Sequence, residues 1–144
     1  KFNLLYFPKF TFGNITMILN DKIKMFLAIA SFMMALAISL GAFGAHGLKS
    51  ILDEYMLKVY NTGIQYHFYN TLGLFIATFI YALKPQSRKI NISLWLILIG
   101  MIIFSFSLYA LTILNMPILG AITPIGGTLL IIAWLTLTYG ILKD

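Results

Sequence analysis

Four long apolar segments, separated by short polar connectors, dominate the pattern of this chain. They lie at about 25–45, 63–83, 92–114 and 118–142. As helices rising about 1.5 Å per residue, they are long enough to cross a hydrocarbon core of roughly 30 Å. Lipid offers the backbone no hydrogen bonds, so helices are the expected structure. The pattern predicts an all-α integral membrane protein with an antiparallel bundle of four transmembrane helices.

The connector between the first two segments, residues 47–62, carries four charged residues with apolar residues between them at helical spacing. Glu54 and Lys58 are four residues apart, in the order that stabilises a helix. This pattern predicts a short amphipathic helix lying at the membrane interface.

Residues 1–24 have no sustained helical period, and the composition changes at Met25. We interpret them as an N-terminal extension that is disordered, interfacial, or upstream of the native start. The domain of four membrane helices is then residues 25–144. A cleaved signal peptide is the alternative for the first segment, because Lys22 and Lys24 precede an apolar run. We expect no cleavage, because small residues recur along the whole segment.

Small and polar residues are concentrated on single helical faces. The small face of the first segment consists of Ala28, Ser31, Ala35, Ser39 and Ala42. The polar stripe of the second consists of Gly63, His67, Asn70, Thr71, Thr78 and Tyr81, and the third has a seam of Ser93, Gly100 and Ser107. Small faces let membrane helices approach closely, and a polar stripe is expected to face protein or a water-filled cavity.

The last two segments contain residues that mark where their helices begin and end. Trp95 and Tyr109 lie toward opposite ends of the third segment, which is typical of interfacial anchors. The turn at residues 115–117 is short enough to require antiparallel neighbours. Pro124 lacks a backbone donor and is followed by two glycines, which predicts a kink or a delayed start of the fourth helix.

Composition and charge narrow the class of protein. The chain is 60% hydrophobic and only 10% charged, far from the balance of a soluble globular protein. Its net charge of +6 lies in connectors and termini, so we predict no nucleic-acid partner. With four spans, Lys49 and Lys58 are the only basic residues on the side of the membrane opposite the termini. The positive-inside rule then predicts both termini in the cytoplasm of a bacterial inner membrane, or a mitochondrial membrane if the source is eukaryotic.

Three separated motifs are recognisable together: Gly41-Ala-Phe-Gly-Ala-His46-Gly-Leu, Tyr60-Asn-Thr-Gly-Ile-Gln-Tyr-His67, and Ile122-Thr-Pro-Ile-Gly-Gly127 followed by Trp134. In this order they resemble the YgdD and transmembrane protein 256 family, catalogued as domain of unknown function 423. The resemblance covers about residues 25–142. It implies a small integral membrane protein with four helices and implies no established activity.

The candidate residues for a structural or ligand-binding site come from these motifs. They are His46, Tyr60, Gly63, Gln65, Tyr66, His67, Asn70, Thr123, Pro124, Gly126 and Gly127. Imidazoles suit metal binding, haem ligation and proton transfer, but hydrogen bonding between helix ends is the interpretation we favour. Gln65 and Tyr66 either bind a quinone or lipid headgroup or bond to the Thr123–Pro124 turn. We expect His46, Gln65 and His67 to converge on that turn.

No catalytic constellation is recognisable in the sequence. There is no cysteine, and no Lys-Ser/Thr pair follows Gly126 and Gly127 as in a phosphate-binding loop. Asp53 and Glu54 are adjacent and would point about 100° apart on a helix. We therefore predict no enzymatic activity, cofactor or metal.

The function predicted from these features is that of a structural, accessory or lipid-interacting membrane module. Its partners would be membrane lipids and other protein chains, including copies of itself through the small helix faces. A transporter of a small solute or proton, using His67, Asn70 and Thr71, is one alternative. A haem- or quinone-binding accessory protein, using His46 and His67, is the other.

Overall fold

Four long helices form most of the computed structural model, which describes residues 9–12 and 15–144, with side-chain surroundings from residue 19 onward. They are α1 (Asp21–Phe43), α2 (Glu54–Leu83), α3 (Arg88–Ile113) and α4 (Thr123–Lys143). A π-helical turn, Gly44–Leu48, follows α1, and a 3-10 turn, Pro117–Ala121, precedes α4.

Each helix packs against the next one along the chain, and consecutive helices run in opposite directions. Tyr60, early in α2, bonds to Leu40, late in α1, and its ring lies 5.1 Å from that of Tyr109, late in α3. The two central helices are α2 and α3, because α1 packs against α2 and α4 packs against α3. The main core draws on all four helices: Ile23, Phe26, Ala30, Leu74, Ala77, Tyr81, Ala82, Ile90, Leu94, Ile97, Leu98, Met101, Leu130, Ala133 and Leu137.

Among the described residues, three helical segments are long and apolar enough to cross a membrane. They are Asp21–Leu48, Arg88–Ile113 and Pro117–Lys143, with mean hydropathies of 2.2, 2.4 and 2.0. The remaining helix, α2, does not meet the same criterion, because its polar residues lower its hydropathy. All six residues of the predicted polar stripe on α2 are nevertheless buried in the bundle. The expectation that this stripe faces protein is confirmed.

The prediction of a separate amphipathic helix at residues 47–62 is wrong. Residues from Glu54 onward are the first turns of α2, which continues without interruption to Leu83. Asp53 caps this helix, accepting a hydrogen bond of 2.8 Å from the Met56 backbone N–H. The 30 residues of α2 span about 45 Å, which exceeds a hydrocarbon core of roughly 30 Å. The charged segment is therefore an extension of the helix and not an element of its own.

A short hairpin precedes α1 and was not predicted. β1 (Lys9–Phe12) pairs with β2 (Ile15–Ile18) in antiparallel register, with Lys9 opposite Ile18. The two strands contain mostly aromatic and β-branched residues, which fit extended backbone well. The interpretations given for residues 1–8 and 13–14 lie outside the described residues. Asn20 caps α1 by accepting from the Ile23 N–H, so this helix begins at Asp21, inside the segment assigned to the extension.

The connection from α3 to α4 follows the predicted turn. Asn115 has a φ of 50°, in the left-handed region that asparagine tolerates better than most residues. A 3-10 turn follows, and α4 begins only at Thr123, with Pro124 in its first turn. A proline there leaves no helical hydrogen bond unmade, because the first N–H groups of a helix have no internal partner. The predicted delay in the start of α4 is confirmed.

The other end of the bundle is tied together by Asp144, which follows α4. Its carboxylate accepts hydrogen bonds from the Lys89 ammonium and from the Ser87 hydroxyl, at the start of α3. These two bonds hold the pKa of the Asp144 carboxyl below its usual range. Lys84 adds a bond of 3.0 Å from Nζ to the Ile141 carbonyl. The turn between α2 and α3 is thereby joined to the end of α4.

Close approach of α3 and α4 depends on glycine. A Cβ at Gly126 would lie 2.4 Å from the backbone nitrogen of Phe104, and one at Gly100 would lie 3.0 Å from Leu130 Cγ. The predicted small seam of α3 is buried, whereas all five residues of the small face of α1 are exposed. The seam on α3 thus serves packing within the chain, and the small face of α1 does not.

A pair of adjacent glycines tests this contact. We expect Gly126→Ala to destabilise the protein by about 1–3 kcal/mol, because its Cβ would collide with the Phe104 backbone and force α3 and α4 apart. Gly127→Ala is the matched control, since its Cβ would lie 3.6 Å from Phe104, an ordinary contact, and alanine favours helix by about 0.5–1 kcal/mol. Thermal unfolding in detergent, followed by circular dichroism, measures both. Equal stability of the two variants would contradict the proposed close packing.

Candidate functional site

The first two sequence motifs are joined by Tyr60. Its side chain is fully buried, and its hydroxyl donates a hydrogen bond of 2.8 Å to the backbone carbonyl of Leu40. The ring covers Gly44, where an added Cβ would lie 2.5 Å from Tyr60 Cε1. A glycine is therefore required at position 44 for the tyrosine to reach α1. The contact fixes the turn after α1 against the early part of α2.

His67 is fully buried between α2 and α3. Its Nδ1 lies 3.1 Å from the hydroxyl of Tyr109, which is itself 5% exposed. The hydroxyl donates to Nδ1 when the ring proton is on Nε2 and accepts when it is on Nδ1. Gly63 makes room for the tyrosine, because a Cβ there would lie 2.8 Å from Tyr109 Cε1. We call Tyr60, His67 and Tyr109 the Tyr–His cluster.

The second ring nitrogen of His67 is not satisfied. Among the described residues, Nε2 is a buried atom without a hydrogen-bond partner. The ring of Phe106 lies 5.6 Å from the imidazole on one side, and Tyr109 lies on another. Within the described part of the chain, no group of three or more His, Asp or Glu side chains is placed to hold a metal ion. His67 thus joins α2 to α3 through a hydrogen bond, as the interpretation of a structural histidine predicts.

The remaining candidates of the first two motifs do not join this cluster. His46, in the turn after α1, and Gln65, on α2, are both exposed. Gln65 borders a shallow surface groove together with Glu54 and Lys58. Neither side chain makes a hydrogen bond to any residue from 19 to 144. The expected convergence of His46, Gln65 and His67 on the Thr123–Pro124 turn is therefore not observed.

The third motif contacts α3. The hydroxyls of Thr123 and Ser107 lie 2.8 Å apart, and Gly126 lies against the backbone of Phe104. Pro124 is exposed in the first turn of α4. The start of α4 thus contacts α3 through a pair of hydroxyl groups and a close glycine contact.

Three residues of α3 connect the motifs and are not among the candidates from the sequence: Phe104, Ser107 and Tyr109. Ser107 was visible as part of the small seam. Tyr109 was interpreted as an interfacial anchor, but the structure buries it beside His67. No pattern within α3 distinguishes an anchoring tyrosine from one that bonds to a buried histidine on another helix.

A cleft of about 640 Å³ lies between α2 and α4, with α3 at its base. Its lining residues are Tyr66, Tyr69, Asn70, Phe104, Gly127, Leu130, Ile131, Trp134 and Leu135. Asn70, on the wall, donates a hydrogen bond of 2.8 Å to the Tyr66 carbonyl. The rings of Tyr66 and Phe104 are 4.4 Å apart. We call this feature the α2–α4 cleft. It contains Tyr66, Asn70 and Gly127 of the candidate residues.

Long apolar helices, polar groups turned inward and charged residues confined to the ends define the class of protein: a small multi-pass helical membrane protein. Residues 40–127 match the family described as "Protein of unknown function (DUF423)". The chain belongs to this family, so the resemblance noted in the sequence is confirmed.

Individual relatives agree with this assignment. The chain is 40% identical to the "UPF0382 membrane protein YwdK" of Bacillus subtilis over 120 residues, which are 83% of this chain and 98% of the relative. It is 37% identical over 127 residues to a "UPF0382 membrane protein" of Haemophilus influenzae, covering 88% of this chain and 98% of the relative. No solved structure matches the chain. The family has no enzymatic name, and its members are named as membrane proteins.

A tyrosine substitution tests the Tyr–His cluster. We expect Tyr109→Phe to destabilise the protein by about 1–3 kcal/mol, because it leaves His67 Nδ1 buried without a partner. Tyr69→Phe removes the same atom from a side chain that is 64% exposed and should change stability by less than about 0.5 kcal/mol. Thermal unfolding in detergent measures both variants. If Tyr109→Phe were as stable as Tyr69→Phe, the hydrogen bond would have no structural role.

Proposed function

We propose that this protein is a non-enzymatic structural or accessory module of the bacterial inner membrane, which crosses the membrane four times as an antiparallel bundle and self-associates through α1. The observation that carries the proposal is the exposure of all five residues of the small face of α1: Ala28, Ser31, Ala35, Ser39 and Ala42. Such faces allow close helix contact in lipid, where burial from water no longer drives association.

The internal packing of α1 leaves this face free. The helix packs against α2 through its other side, where Ile23, Phe26, Ala30 and Ala37 are buried. Both serine hydroxyls of the small face are already bonded within the helix, Ser31 to the Leu27 carbonyl and Ser39 to the Ala35 carbonyl. The face therefore presents small, satisfied side chains. This surface suits a second helix at short distance.

Four crossings of the membrane are supported by the burial of the polar stripe of α2. A helix lying on the membrane surface would turn polar residues such as His67 and Thr71 toward water, but both are fully buried. Four crossings place both termini on one side, together with the basic turn between α2 and α3. The positive-inside rule then favours the cytoplasm for that side.

Transport and haem binding have less support from the geometry. The Thr71 hydroxyl bonds to the His67 carbonyl at 2.8 Å and approaches Met101 Sδ at 3.3 Å, so it is engaged in packing. His46 is exposed whereas His67 is buried, which does not favour a ligand held by both. A structural role accounts for both observations.

The absence of cysteine allows single-cysteine crosslinking without background. We expect Ser39→Cys to form disulfide-linked dimers in native membranes under mild oxidation, because it lies on the small face. Ile125→Cys, in the first turn of α4 and 56% exposed, lies outside the small face of α1 and should crosslink far less. Adding Ala35→Leu to Ser39→Cys should lower the yield severalfold by holding the helices apart. Similar yields from both single-cysteine variants would refute self-association through this face.

The same approach tests the four-span topology. A membrane-impermeant maleimide added to intact spheroplasts should label Lys49→Cys, in the connector after α1. Gln86→Cys, in the turn between α2 and α3, should react only after the membrane is permeabilised. Both positions are exposed, so burial does not limit the reaction. Labelling of both variants before permeabilisation would be incompatible with four crossings and cytoplasmic termini.

A further inference from the structure

The α2–α4 cleft exists because α2 and α4 both pack on α3 while hardly touching each other. They are bridged by Trp134, whose ring lies over Gly73, where a Cβ would come within 2.5 Å of Trp134 Cζ2. On the α4 wall, Gly127 contributes no side chain and leaves space in front of the Phe104 ring. The volume of about 640 Å³ is within the range of small-molecule sites, about 300–1,000 Å³.

One polar side chain on the wall of the cleft has unused hydrogen-bonding capacity. Asn70 is 7% exposed and uses one amide N–H to bond the Tyr66 carbonyl. From residue 19 to residue 144, no protein group bonds to its Oδ1 or to its second N–H. In a surrounding of lipid and apolar side chains, an unpaired amide is costly, so a ligand that pairs with it gains affinity. Asn70 therefore provides a specific anchor inside an apolar site.

The rest of the lining selects the kind of ligand. From residue 19 to the end of the chain, no charged side chain lines the cleft, so these residues offer a phosphate headgroup no counter-charge. Four aromatic side chains, Tyr66, Tyr69, Phe104 and Trp134, offer flat surfaces for a planar ring. Ile131 and Leu135 are each 64% exposed and continue the apolar surface toward lipid. The site thus suits a neutral ring that carries a hydrogen-bond acceptor and a long apolar chain.

We propose that the α2–α4 cleft binds an isoprenoid quinone. One ring carbonyl accepts the free N–H of Asn70, the ring lies among Tyr66, Phe104 and Trp134, and the isoprenoid chain leaves along Ile131 and Leu135. The cleft is proposed to bind the quinone, and the protein is not proposed to transfer electrons. Quinone binding goes beyond the proposed structural role. Because α1 does not line the cleft, quinone binding does not depend on self-association through α1.

Tryptophan fluorescence provides a direct test, because quinones quench nearby tryptophans. In a Trp95→Phe background, Trp134 is the sole remaining tryptophan and lines the cleft. Decylubiquinone is titrated into the purified protein in nanodiscs, and saturable quenching is expected. Asn70→Leu should raise the apparent Kd for decylubiquinone about tenfold, because the quinone carbonyl loses its amide N–H partner. Gly127→Leu should abolish saturation by filling the cleft.

A matched control guards against general effects on folding and partition. Thr128→Leu places the same side chain on the neighbouring, exposed position of α4, outside the cleft, and should leave the titration unchanged. Circular dichroism and melting temperature confirm that each variant is folded. Two results would contradict quinone binding in the cleft. One is quenching that rises linearly with quinone concentration, and the other is equal quenching in the Gly127→Leu and Thr128→Leu proteins.

Competition with a second neutral lipid tests the assignment to quinones. Dioleoylglycerol has carbonyl and hydroxyl groups but no planar ring. We expect it to leave the decylubiquinone titration unchanged at equal membrane concentration. Displacement of the quinone by an equal amount of dioleoylglycerol would overturn the quinone assignment in favour of a general neutral-lipid site. Crosslinking through Ser39→Cys is unaffected in either case.

Discussion

The structure depends on burying the polar face of α2 against α3. Within the apolar part of a membrane, hydroxyl, imidazole and amide groups find no water and must be paired by protein. The structure meets this requirement for the Thr71 and Thr78 hydroxyls, which bond to α2 backbone carbonyls, and for His67 Nδ1, which pairs with Tyr109 on α3. Among the described residues, His67 Nε2 is left without a partner. The same arrangement places α2 and α3 at the centre of the bundle, with α1 packed against α2 and α4 packed against α3. The bond between His67 and Tyr109 therefore helps to hold α2 against α3.

Glycine residues, and the hydroxyl pair of Ser107 and Thr123, let the helices pack closely against one another. Gly44 and Gly63 admit the rings of Tyr60 and Tyr109, and Gly126 brings α4 onto the backbone of Phe104. These contacts account for three of the six glycines in the sequence motifs. They also explain how a bundle with short connectors can retain a cleft: α2 and α4 are each held to α3, and Trp134 over Gly73 bridges them.

Hydrophobic patterning was sufficient to predict the helical architecture, the inward polar stripe, the turn at Asn115 and the delayed start of α4. These features follow from local periodicity and from single residues such as Pro124. The continuity of α2 through residues 54–62 was missed, because a helix that extends beyond the membrane shows the same amphipathic pattern as a short interfacial one. The Tyr–His cluster and the α2–α4 cleft arise from contacts between distant helices. Neither leaves a periodic signal, so His46 and Gln65 were grouped with His67 although the structure exposes both.

In the proposed arrangement with four membrane crossings, α2 crosses the bilayer and its first turns extend beyond it. Hydrogen–deuterium exchange of α2 amides in lipid nanodiscs, followed by mass spectrometry, shows directly whether α2 crosses the bilayer. Residues 66–83 should remain protected for hours, whereas residues 54–61 should exchange much faster. Fast exchange along the whole of α2, similar to that of its first turns, would show that the helix lies at the membrane surface and would contradict the account.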